Sequence, residues 1–75
     1  MASDAELGIR EDMRPEEAVR LAMERETRAR EFYLRCAAIA GDPGVKKMFE
    51  FLAREEARHF ELLEKEYNRF FVGDN

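Results

Sequence analysis

The chain has no tryptophan, one cysteine, one histidine and two prolines in 75 residues. A single cysteine, Cys36, excludes an internal disulfide and any four-cysteine zinc or iron site. Nothing beside it but arginines on other helix faces would lower its pKa, so it reads as a small core residue. A single histidine, His59, means that nickel, copper or zinc sites needing several imidazoles could form only between chains. β-branched residues are scarce: Ile9, Val19, Thr27, Ile39, Val45 and Val72 complete the set, too few for a sheet. No apolar run approaches the ~20 residues that cross a bilayer, and the N-terminus lacks the apolar core of a signal peptide. The expectation is a soluble, cytoplasmic protein with no membrane partner. A net charge of -4 argues against nucleic acid as a partner.

What is abundant is helix-forming. Hydrophobic residues make up 45% and charged residues 40%, a mixture that suits long amphipathic helices. Residues 1–14 are polar and without period, and read as a flexible N-terminal tail. Pro15 opens a helix at the position where a missing N–H costs least, and Glu16 and Glu17 place negative charge at its positive end. Ala18/Val19, Ala22, Glu26, Ala29, Tyr33, Cys36/Ala37 and Ala40 then follow a 3.6-residue period. Small residues dominate that stripe, so a neighbouring helix can approach closely. Charged pairs four apart, such as Glu24–Arg28 and Glu31–Arg35, read as solvated surface. Gly41-Asp42-Pro43-Gly44 is the one strong break: Gly41 suits a left-handed residue after the helix, Asp42 an N-cap and Pro43 the first helical position. A second helix is expected from about Pro43 to Val72, with Gly73 as its stop. So short a turn makes the two helices antiparallel neighbours. Residues 15–75 therefore read as one helical hairpin.

The second helix carries Arg54-Glu55-Glu56-Ala57-Arg58-His59. Glu56 and His59, three apart, share a helix face and can grip one metal ion. They interrupt the apolar stripe Val45, Met48/Phe49, Leu52, Leu63, where an unpaired carboxylate is expensive to bury. Glu26 interrupts the first helix's stripe in the same way. At ~1.5 Å per residue, Glu26 lies ~21 Å below Ala40, and Glu56 and His59 lie ~20 and ~24 Å beyond Pro43. All three reach one height in an antiparallel hairpin, all on apolar faces. Glu55 points about 100° away from Glu56, toward solvent. Tyr33, two turns beyond Glu26, reads either as a core aromatic or as a neighbour whose hydroxyl hydrogen-bonds a ligand carboxylate. Phe49, Phe51, Phe60, Phe70 and Phe71 read as packing.

One hairpin supplies two glutamates and one histidine, half of the set used by di-iron carboxylate bundles. A two-fold pair of hairpins supplies the whole set and buries the apolar bands that one hairpin leaves wet. The expected fold is all-α: an antiparallel two-helix hairpin that dimerises into a four-helix bundle. The competing reading is a helical interaction module in which Glu26, Glu56 and His59 form a salt-bridged or zinc-filled cluster.

Ala22-x-x-x-Glu26, Phe32-Tyr33, the Asp42-Pro43 turn and Leu52-Ala53-x-Glu55-Glu56-x-x-His59 resemble the rubrerythrin branch of the ferritin-like superfamily. With one hairpin where rubrerythrins carry two, the chain is most similar to the encapsulated ferritins. The resemblance implies two irons per dimer, with manganese or zinc as substitutes. It implies Glu26 and Glu56 as ligands, one of them bridging, His59 as terminal ligand, and Tyr33 beside them. It also implies the oxidation of Fe(II) by O2 or peroxide at those residues, a homodimer extending to a larger ring, and an encapsulin shell as partner and compartment. No rubredoxin-type cysteines accompany the hairpin, so a peroxide-reducing role would need an external electron donor. Arg25 and Arg28 flank Glu26, where encapsulated ferritins carry further acidic residues.

Overall fold

The computed structural model describes residues 1–73; positions 74 and 75 of the expected hairpin lie outside it. Three α-helices follow one another: α1 (Asp4–Leu7), α2 (Pro15–Ile39) and α3 (Pro43–Tyr67), the last continued by a π-helical turn, Asn68–Val72. Pro15 and Pro43 both occupy first-turn positions, and Asp42 Oδ1 accepts from the N–H groups of Gly44 and Val45 at 2.7 and 3.1 Å. Those two bonds satisfy donors that the helix itself leaves free. Helical backbone runs on to Val72, and Gly73 ends it at φ 84°, donating its N–H to Asn68 O.

The turn between α2 and α3 departs from expectation in one respect. Gly41 does not take a left-handed conformation; positive φ among the described residues is confined to Gly8 and Gly73. The chain leaves α2 through Ala40 in an extended conformation (φ -67°, ψ 125°), and Asp42 is extended as well. Two extended residues bracketing Gly41 turn the chain without a Schellman-type cap.

Ser3 and Glu6 form a reciprocal capping box around α1, which satisfies two orphan donors at once. Gly8 closes that turn at φ 79°, a conformation glycine adopts without a Cβ penalty. A Cβ there would also stand 3.1 Å from Leu21 Cδ2. The segment folds back on α2, where Leu7, Ile9 and Met13 meet Ala18, Leu21 and Ala22. Arg25 donates to the Leu7 carbonyl, and Arg10 pairs with Glu17 at 2.8 Å.

α2 and α3 lie side by side in a body of 45 × 36 × 15 Å. The short dimension is little more than one helix thick, so side chains in the seam lack cover. Ala37 and Ala53 are the buried apolar residues of the described chain. Phe32, Met48, Phe51, Leu62 and Phe70 are all exposed, Phe70 by 66%. Phe49 and Phe60 are half-buried in the seam, whereas Phe51 faces out. Neither Glu24–Arg28 nor Glu31–Arg35 closes to an ion pair; the tight pairs are Arg10–Glu17 and Arg58–Glu55, at 2.8 and 2.9 Å. Exposed pairs four apart gain too little to overcome side-chain entropy reliably.

The open end of the hairpin carries a clasp. Arg20 donates through Nε and Nη2 to the Tyr67 hydroxyl oxygen at 2.9 and 2.6 Å, and its guanidinium lies 5.4 Å from the Tyr67 ring centroid. Tyr67 packs in turn on Phe71, centroids 5.3 Å apart. Tyr67→Phe keeps the ring and removes the acceptor. It is expected to lower the melting temperature only modestly, because Arg20 is exposed and water competes for its guanidinium. Thermal unfolding followed by circular dichroism checks this; an unchanged melting temperature would mean that the clasp adds nothing.

Candidate metal centre

Glu26 sits midway along α2, and Glu56 and His59 sit midway along α3. The antiparallel pairing brings them together at one height, as the rise per residue requires. One donor atom from each lies within 4.8 Å of the other two. His59 Nδ1 is 3.4 Å from Glu26 Oε2 and 3.6 Å from Glu56 Oε2. Both separations exceed the range of an N–H···O hydrogen bond, so the three groups are gathered but not closed on one another.

Burial differs across the cluster. The Glu26 and Glu56 side chains retain 24% and 20% of their exposure, and His59 retains 54%. Glu26 Oε2 itself is buried and has no hydrogen-bond partner. A buried carboxylate oxygen without a donor is costly, and a cation placed among these donors would satisfy it. Two hard carboxylate oxygens and one imidazole suit iron, manganese or zinc. The residues present therefore fit a divalent metal.

His59 does not stand alone on its face. Met48, Leu52, His59 and Leu63 fall within about 60° of helical arc, with Met48 exposed on it, and the exposed Phe70 follows in the π-helical turn. The imidazole opens onto an apolar row, not onto the seam alone. Glu55, on a different bearing, pairs with Arg58 at 2.9 Å.

Tyr33 makes no hydrogen bond to Glu26, Glu56 or His59 among the described residues; its ring stacks on Phe49, centroids 6.3 Å apart, and meets Phe32 edge-on at 5.7 Å. Arg25, beside Glu26, is turned away to the Leu7 carbonyl and does not pair with the cluster.

A cleft reaches Glu26 and Glu56 from the other face of the hairpin, with Thr27, Arg30, Phe60 and Glu61 around them. Sequence reasoning did not anticipate these four. Their signal is weak, because membership depends on how α2 and α3 are rotated about their axes.

No helix of the described residues is long and apolar enough to cross a membrane. The family model described as Rubrerythrin matches residues 9–75. No curated protein and no solved structure matches the chain.

Proposed function

From a chain that belongs to the rubrerythrin family, within the ferritin-like superfamily, we propose a homodimeric di-iron protein that oxidises Fe(II) with O2 or peroxide. The observation that carries this reading is the buried, unpartnered Glu26 Oε2 within reach of Glu56 and His59. Glu26 and Glu56 would hold iron through carboxylate oxygens, and His59 through its imidazole. In a two-fold dimer, four carboxylates balance the charge of two divalent ions, and each chain contributes half of the donors. When bound, an iron pair supplies the electrons that reduce O2 or peroxide.

The chain's own residues set the conditions for that chemistry. Carboxylates change between one- and two-oxygen binding as charge on the metal changes, so Glu26 and Glu56 can follow a change of oxidation state. His59 would contribute an imidazole nitrogen as a third donor. A second copy on the Met48–Phe70 row would dry the site and bury His59, strengthening every electrostatic contact there.

The rival reading has Glu26, Glu56 and His59 as a purely structural, salt-bridged cluster. Anaerobic Fe(II) titration with metal analysis separates the two. The expected result is two irons per dimer, followed on aeration by O2 consumption and a near-ultraviolet Fe(III) absorption. Absence of stoichiometric uptake would sink the metal reading in favour of the structural cluster.

A further inference from the structure

The cleft behind the cluster has a volume of about 280 Å³ and is lined by Glu26 and Glu56 themselves. Thr27 and Arg30 of α2 and Phe60 and Glu61 of α3 complete most of its wall. His59 is not part of it. On α3, Ala57 lines the cleft and points about 160° away from His59. A second copy seated on the His59 face therefore leaves this opening uncovered, while it closes the approach past His59.

The charges around the opening are uneven. Three carboxylates, Glu26, Glu56 and Glu61, face one guanidinium, Arg30. Glu61 and Arg30 enter no ion pair among the described residues; the pairs formed are Arg10–Asp12, Arg10–Glu17, Arg14–Glu16, Arg14–Glu17, Arg58–Glu55, Arg69–Glu66 and the His59 contacts. The Glu61 carboxylate therefore has no cationic side chain paired to it at the opening. Thr27 donates its hydroxyl hydrogen to the Met23 carbonyl at 3.2 Å, which leaves its oxygen lone pairs facing the wall without adding charge. Phe60 gives the cleft an apolar flank of low polarity beside the carboxylates.

We propose that this cleft is the path by which a divalent cation reaches Glu26 and Glu56 in the assembled dimer, with Glu61 drawing it in and Arg30 opposing it. The proposal rests on the metal-site reading above and adds the route, the charge of the species that uses it, and the residues that set its rate. An anion would meet the opposite balance. Removing one carboxylate charge near the path of a dication in water should slow capture about five-fold at low ionic strength. The effect should shrink as salt shortens the screening length.

The test uses Co(II) alone as probe, mixed anaerobically with the apo dimer in a stopped-flow instrument and read by its absorption. Glu61→Gln is expected to slow loading about five-fold, and Glu61→Lys about twenty-fold, by the same charge reasoning. Arg30→Gln is expected to speed it about three-fold. Glu24→Gln, an exposed glutamate outside the cleft, should change it less than two-fold if the effect is local. End-point stoichiometry should match wild type in all four. Wild-type loading rates in both Glu61 variants, or equal slowing by Glu24→Gln, would overturn the path while leaving the metal site standing. Slower loading in Arg30→Gln would overturn the charge assignment. Failure of the wild type to take up Co(II) would remove the site and the path together.

Discussion

Glu56→Ala is expected to abolish stoichiometric metal uptake, and Glu55→Ala, one position earlier, to leave it intact. The two differ by about 100° of helical arc. Glu56 keeps 20% exposure and lies 3.6 Å from His59 Nδ1, whereas Glu55 is held by Arg58 at 2.9 Å. In a two-fold dimer, Glu56→Ala removes two of four carboxylates and leaves two divalent ions undercompensated. Losing a partner that only orients a ligand costs about 10–100-fold in affinity, so losing a donor should cost more than about 100-fold. His59→Ala should behave like Glu56→Ala. Equilibrium dialysis with metal analysis measures all three. Equal losses in Glu55→Ala and Glu56→Ala would mean that the face of α3 has been misassigned.

The second large effect is on assembly. If the proposed dimer forms through this row, Met48→Asp combined with Phe70→Asp is expected to give a poorly folded monomer. Both side chains are exposed in the single hairpin, by 48% and 66%, so in a monomeric protein the change would be nearly neutral. Across a dimer interface, each aspartate would be buried without a partner at a cost of roughly 3 kcal/mol, about 100-fold in the dissociation constant. A hairpin whose described core is Ala37 and Ala53 has little else to hold it, and dissociation should carry helicity away with it. Sedimentation velocity and far-ultraviolet circular dichroism read the two consequences. A variant that remains a folded dimer would exclude this row as the interface.

Residues three and four apart are the ones a sequence reads best, and the cluster was legible for that reason. Glu56 and His59 meet on one face by local geometry, and Glu26 joins them through a turn too short to allow any but antiparallel pairing. The α1 turn is encoded locally, since Ser3-Asp4-Ala5-Glu6 is a capping box, but nothing periodic follows it to mark a helix. The Arg20–Tyr67 clasp was not legible, since its partners are brought together only by the full length of both helices. Gly41 misled for a related reason. Glycine permits a left-handed cap, but Asp42 and Pro43 begin a new helix at once, and the extended residues this requires leave no room for the motif.

Composition and period alone determined that the chain is two long antiparallel helices joined at Gly41–Asp42 with Glu26, Glu56 and His59 at one height, because helical rise and phase are local properties of the backbone. Only the tertiary structure decided how the helices are rotated against each other. That rotation places His59 on the open apolar row, buries Glu26 Oε2, stacks Tyr33 on Phe49 and opens the cleft at Arg30 and Glu61. It is set by the close approach at Ala37 and Ala53 and by the clasp at the far end, contacts between residues distant in sequence whose summed packing no single helix can specify.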